Sequence, residues 1–184
     1  MEAMPAKTRY TYYDYCLLPD DKRYEVIEGE LFVVPSPSVV HQKVSGNLLF
    51  LLKKHISETG SGFVFNAPLD VLISDDNVIQ PDIIYISDEN SRIIGEANIS
   101  GAPDLVVEVI SPSTAQTDYG KKKDLYARFG VKELWIVHPV LQTVDVFINR
   151  GGCFGDPARY DRRVKKPLGT VILPGLSISL DEVF

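Results

Sequence analysis

The sequence predicts a mixed α/β fold of the α+β kind: a central mixed β-sheet flanked by helices, with extra β-hairpins. Three observations lead there. Short apolar runs bounded by turn residues recur at Tyr24–Ile27, Glu30–Val34, Phe63–Ile73, Val78–Ser87, Asp104–Ser111 and Glu133–His138. Two longer stretches, Val39–Thr59 and Ser113–Phe129, carry apolar residues at helical spacing instead. The order is hairpin, helix, three strands, helix, strand and a β-rich end, which suits helices packed on a mixed sheet.

Residues 1–20 read as an N-terminal arm or short helix with a tyrosine cluster, Tyr10, Tyr12, Tyr13 and Tyr15. Glu28-Gly29 joins the first two strands, and Gly29 can take positive φ, so the pair forms a hairpin. Pro35-Ser36-Pro37-Ser38 stops the second strand and supplies an N-cap for Val39–Thr59. In that helix His41, Val44, Leu48, Leu51 and His55 share a stripe, widened by Ser45, Leu49 and Leu52, and Gly60 closes it. Pro68 inside Phe63–Ile73 marks an edge or a bulge. Ser74–Asn77 is a polar turn, and Asp88–Pro103 is irregular. Ser113–Phe129 ends at Gly130, and Glu133–His138 ends at Pro139. Thr143–Asn149 alternates as a strand, and residues 170–184 read as a final strand pair with a C-terminal segment.

The chain has 184 residues, enough for a single domain over residues 1–184 with a substantial core. Its formal net charge of −6 excludes a passive DNA coat and requires any nucleic-acid surface to be local. Lys121–Lys123 and Arg162–Lys166 are the basic clusters, the second read as a solvated face. Cys16 and Cys153 are too isolated for a disulfide framework or a metal pair and read as reduced thiols. No apolar run reaches membrane-spanning length, and the polar start lacks a signal-peptide core, so the expectation is a cytoplasmic protein with no membrane partner.

Function is written in two acids. Asp82 lies in VIQPDIIYIS and Glu108 in DLVVEVIS, where apolar residues would pack better. A buried carboxylate is disfavoured without a cation or hydrogen-bond donor, so each needs a partner or a cleft. Side chains alternate along a strand, so Asp104, Val106, Glu108 and Ile110 share one face, and Gln80, Asp82, Ile84 and Ile86 another. Asp104 and Glu108 stand roughly 13 Å apart along one strand, too far to ligate one ion. Neighbouring strands are about 5 Å apart, so Asp82 and Glu108 can share an ion if their strands pair in that register. Asp104 is then a structural hydrogen-bonder.

On the second helix Ala115, Tyr119, Lys122, Tyr126 and Phe129 form one stripe, with Lys121 and Lys123 turned about 100° to either side. Lys122 thus faces the sheet, either as a catalytic cation or as a snorkelling side chain in a plain salt bridge. With Mg²⁺ (or Mn²⁺) on Asp82 and Glu108, the metal would activate water, and Lys122 would orient or deprotonate it or stabilise developing charge. His41 is a further candidate for the cleft, against the plainer reading of a hydrogen-bonded helix residue. Asp70 reads as a ligand or an ordinary polar residue near a strand end. Ser111-Pro112-Ser113 is a strand exit and helix cap. No P-loop, dinucleotide fingerprint or zinc spacing is present.

The runs YEVIEGELFVVPSPSVVHQ, DNVIQPDIIYIS, GAPDLVVEVISPSTAQTDYGKKKDLYARFGVKELWIVHP and LPGLSISLDEVF resemble the Uma-two family of restriction-endonuclease-type proteins, in the PD-(D/E)XK nuclease superfamily. The resemblance runs from about Tyr10 to Phe184. It implies a restriction-endonuclease-like core, Mg²⁺-dependent hydrolysis of DNA phosphodiesters and a homodimer. By position, Asp82 matches the PD acid and Glu108 the acid of the second half-motif, and His41 falls where the family tends to carry histidine. The usual lysine two residues after that acid is Ile110 here, and Lys122 fits a relocation to the following helix. Two other functions compete with a metal-dependent DNA endonuclease: a catalytically inactive nuclease-fold protein that binds nucleic acid or protein, and a structural homo-oligomer.

Overall fold

The computed structural model describes residues 8–111 and 117–184. The N-terminal arm contains one helical turn, α1 (Tyr12–Tyr15), closed by a Thr11–Asp14 capping box. Strands β1 (Arg23–Ile27) and β2 (Glu30–Val34) form the expected antiparallel hairpin, with Ile27 opposite Glu30. Glu28 and Gly29 have φ of 53° and 80°, the double positive-φ turn whose twist suits a two-residue hairpin. Helix α2 (Val39–Thr59) starts at Ser38, whose side chain accepts from the His41 amide, and ends at the left-handed Gly60. Its buried line is Val44, Leu48, Leu52 and Ile56, a ridge in four-residue steps. Leu51 and His55, expected on the buried stripe, flank this ridge and are only partly buried.

Two of the expected strands are each divided between two sheets. Phe63–Ile73 becomes β3 (Phe63–Asn66) and β4 (Val71–Ser74), and Val78–Ser87 becomes β5 (Asn77–Ile79) and β6 (Ile83–Ile86). Each break contains a proline, Pro68 or Pro81, which has no N–H for a ladder. The chain leaves one sheet at the first break and returns at the second. The remaining strands are β7 (Ile99–Ser100), β8 (Leu105–Val109), β9 (Glu133–His138), β10 (Thr143–Ile148) and β11 (Ala158–Asp161). One sheet runs β2-β1-β5-β4-β7; the other, of six strands, runs β11-β10-β9-β8-β6-β3, with β3 at its edge. Both are mixed, since β4 pairs parallel with β7 and β8 parallel with β9.

The six-stranded sheet is the middle layer. On one face Val107, Val109, Trp135, Val137 and Val144 pack against the α2 ridge. On the other, Val106, Ile110, Leu134 and Ile136 meet Leu125, Tyr126 and the five-stranded sheet residues Ile27, Val71 and Ile79. Strand alternation therefore sends Glu108 to the second face, with Val106 and Ile110.

The second helix differs from its expected form. Residues 113–116, including Ala115 of the proposed stripe, lie outside the described residues. From Asp118 to Lys122 the backbone makes a π-helical turn, non-helical at Gly120, before α3 (Lys123–Arg128). The wider turn breaks the 3.6-residue phase. Tyr119 consequently leaves the stripe and contacts His138 and Asp145, while Lys122 and Tyr126 remain buried; Phe129, the C-cap of α3 with φ −92° and ψ 5°, is 38% exposed at the helix end. The final strand pair is also absent among the described residues. Leu168 and Ile178 form a single bridge, followed by one helical turn, α4 (Leu180–Val183). Pro174-Gly175 turns the chain, and Leu173, Leu176, Ile178, Leu180 and Val183 enter the core as side chains instead. Cys16 and Cys153 are free and exposed, and no helix among the described residues is long and apolar enough to cross a membrane.

The α2 ridge should dominate the stability of this architecture. Leu48 is fully buried, so Leu48→Ala should lower the unfolding free energy by about 2–5 kcal/mol in urea titrations.

Candidate active site

Register brings the two acids together. Ile83 pairs with Val107 and Ile84 with Val106, antiparallel, so Asp82, one step before β6, falls opposite Glu108. Asp82 sits on the connection between sheets rather than within a strand, and there its side chain reaches the end of β8. Its Oδ2 accepts from the Val109 amide at 2.7 Å and meets His41 Nε2 at 3.1 Å. His41 is presented by the first turn of α2, fixed by the Ser38 cap. Its other ring nitrogen, Nδ1, is buried and finds no hydrogen-bond partner among the described residues.

Lys122 approaches from the other side. Its ammonium donates to Glu25 Oε1 at 2.9 Å and to Glu108 Oε1 at 3.3 Å, and stands 3.7 Å from Asp118 Oδ1. All four side chains are at most 7% exposed. The Tyr126 hydroxyl also donates to Glu108 Oε1. The Gln80 amide donates to Glu25 Oε1 at 2.8 Å, tying the segment ahead of Asp82 to the hairpin. The donors thus converge on one oxygen of Glu108 and one of Glu25. Glu25, Gln80, Glu108, Asp118 and Lys122, with Asp82 and His41, line a cleft of about 510 Å³, and Tyr126 lies buried behind it.

Glu25 and Asp118 were not singled out from the sequence, though a signal for each is present. Glu25 is a carboxylate beside Val26 and Ile27, the same anomaly that marks Asp82 and Glu108. Asp118 is four residues before Lys122, an i, i+4 pair on one helical face.

The charges are unequal. Glu25, Glu108 and Asp118 surround one lysine, and Asp82 adds a fourth acid beside Glu108. Burial pushes the Glu108 carboxyl well above the ordinary glutamate range; the Lys122 cation opposes this, and the neighbouring acids add to it. Burial alone would lower Lys122, but Glu108, Glu25 and Asp118 outweigh it and hold its pKa well above the usual lysine value. The ammonium is therefore firmly charged. Burial likewise lowers His41, but the hydrogen bond to Asp82, the negative charge of that carboxylate and the Val109 backbone together outweigh it, so its pKa is raised. Among the described residues no three His, Cys, Asp or Glu side chains converge as an all-protein metal cage.

The other candidates separate cleanly. Asp104 accepts from the Ser87 amide at 2.8 Å and pairs with Lys132 at 2.6 Å, a structural role at the start of β8. Asp70 accepts from the Tyr15 hydroxyl at 2.7 Å and the Gln80 side chain at 2.8 Å, behind the cleft. Lys121 turns to Glu30 and Lys123 lies over Phe147, so only the middle lysine of the three enters the site.

A family model described as "Putative restriction endonuclease" (Uma2) matches residues 10–181. A solved structure, described as a putative nuclease belonging to DUF820 from Anabaena variabilis ATCC 29413, superposes with a TM-score of 0.79. It covers 95% of this chain and 97% of that one at 20% identity, a likeness of fold. The uncharacterized protein slr1290 of Synechocystis sp. is 30% identical over 107 residues, 58% of this chain and 55% of that relative. The chain therefore spans about half the length of the curated relative it matches.

Removing the buried cation should be costly. Lys122→Met should destabilise the protein by about 3–5 kcal/mol at neutral pH, because the carboxylates lose their partner. The loss should shrink as pH falls toward 5. Without the ammonium, Glu108 has a folded-state pKa even further above its unfolded value, so the folded variant gains protons and stability on acidification. Urea unfolding of both proteins across pH 5–8 checks this, and a pH-independent difference would contradict it.

Proposed function

The chain belongs to the Uma2 family, described as putative restriction endonucleases, and from that premise we propose that it is a Mg²⁺-dependent (or Mn²⁺-dependent) nuclease that hydrolyses DNA phosphodiesters. The observation that carries this reading is Asp82 opposite Glu108 on the cleft floor, with the Lys122 ammonium 3.3 Å from Glu108.

The residues fit the ion. Mg²⁺ prefers oxygen ligands and keeps several waters, so one or two carboxylates suffice. Asp82 and Glu108 supply them, and the excess of acids over lysine favours a divalent cation at this spot. Such an ion, when bound, polarises a phosphoryl oxygen and lowers the pKa of an attacking water. Lys122 is held protonated by its three carboxylates, which favours charge stabilisation over proton abstraction. The Val109 amide and the Tyr126 hydroxyl each fix one carboxylate, so neither has to reorganise during the reaction. His41 orients Asp82 from the α2 side.

The departure at Ile110 is consistent with this chemistry. Ile110 is buried in the apolar cluster beneath the five-stranded sheet, so that position adds packing. A lysine four helical residues after Asp118 reaches Glu108 from the neighbouring element instead.

Asp82→Asn should abolish metal-dependent cleavage of DNA, with folding unchanged by circular dichroism; full activity in that variant would end the assignment. Calorimetric titration of Mn²⁺ should show binding to the wild type that Glu108→Ala loses. Absence of binding in both, with DNA present, would leave the acids a structural role.

A further inference from the structure

Resting on the nuclease reading above, we infer that the substrate of this cleft is single-stranded DNA, a flexible strand or frayed end, rather than intact duplex. Depth is the first ground. The acids sit on a floor where Glu108 and Lys122 are 6% and 7% exposed, inside a cleft of about 510 Å³. That space suits a nucleotide or two. Duplex DNA is stiff over about 150 base pairs, so bringing one of its phosphates to a recessed floor requires a costly kink. A single strand enters without that cost.

Charge is the second ground. Among the described lining residues the permanent cations are Arg23 and Lys122, against Glu25, Asp82, Glu108 and Asp118. Lys122 is already ion-paired. Lys121 is near the rim, 5.5 Å over the Phe32 ring. The larger basic run is remote and engaged: Arg162 and Lys165 pair with Asp181 and Arg163 with Asp161, after β11 at the far edge of the six-stranded sheet. Arg23, with Lys121 once it exchanges its exposed Glu30 partner for phosphate, can neutralise at most about two phosphates, whereas duplex binders commonly engage roughly 6–10.

The wall chemistry is the third ground. Phe32, Val33, Pro35, Leu49 and Pro68 line the cleft. Phe32 pairs directly with Glu25 across the hairpin, so an aromatic ring stands beside the acids. Exposed bases stack on such surfaces without regard to sequence, and paired bases inside a duplex cannot.

The test is fluorescence anisotropy with Ca²⁺, using a labelled oligothymidylate of twelve residues and a duplex of twenty-four base pairs, alongside cleavage of both in Mn²⁺. The single strand should bind at least roughly tenfold tighter, with a log–log salt slope of about −1.4. Phe32→Ala should weaken it by about 5- to 150-fold, and Phe32→Leu, which keeps apolar packing, should separate stacking from misfolding. Equal or tighter duplex binding, a slope steeper than about −4, or no binding of the single strand would overturn the inference. Selective single-strand binding with no cleavage in Mn²⁺ would sustain it and overturn the nuclease reading.

Discussion

One buried ammonium organises this molecule. Lys122 stands among Glu25 from the hairpin, Glu108 from the central sheet and Asp118 from its own helix. A charge at that depth is tolerated only when its partners are in place, and the partners need the charge equally. The hairpin, the six-stranded sheet and the helix therefore have to come together at one point. The π-turn at Asp118–Lys122 serves that requirement: it turns Lys122 inward while Tyr119 anchors to His138 and Asp145 on the neighbouring strands.

The cleft follows from where the chain changes sheets. Pro68 and Pro81 each interrupt a run that would otherwise continue as one strand. At the second interruption Gln80 donates to Glu25, and Asp82 turns onto the Val109 amide. Had Val78–Ser87 stayed one strand, Asp82 would have been a ladder residue within an apolar sheet. The break exposes its carboxylate at the end of β8, beside the first turn of α2 and His41. Local backbone chemistry at a proline thus opens the space in which the acids meet.

Much of the fold was legible in advance. The Glu28-Gly29 turn, the Ser38 and Gly60 caps and the run Glu133–His138 rest on local physics, and each element forms as expected. The misread elements are those whose form depends on distant packing: the divided strands, the shifted α2 ridge, the π-turn and the C-terminal segment. The same division holds for the site. Asp82, Glu108 and Lys122 were reached through strand spacing and helix phase, and the structure brings them to one cleft. Glu25 enters only through long-range contact with Lys122, and Asp118 through the local i, i+4 pair it makes with the same lysine.

Acids in apolar strands were visible from the sequence alone. Besides Asp82 and Glu108 they include Glu25, Asp104, Glu133 and Asp145, and composition treats them alike. Tertiary structure sorts them by partner. Glu133 accepts from the Trp135 indole at 2.6 Å, Asp145 is clamped by Arg159 Nε and Nη2 at 2.6 Å each, and Asp104 pairs with Lys132 at 2.6 Å. Those three are satisfied as parts of the scaffold. Glu25, Asp82 and Glu108 instead face a common cleft with one lysine between two of them. A sequence reports that a buried charge needs compensation, because burial is encoded in neighbouring residues. Which group compensates it, and whether negative charge is left for a metal, depends on groups distant in the chain and adjacent only after folding.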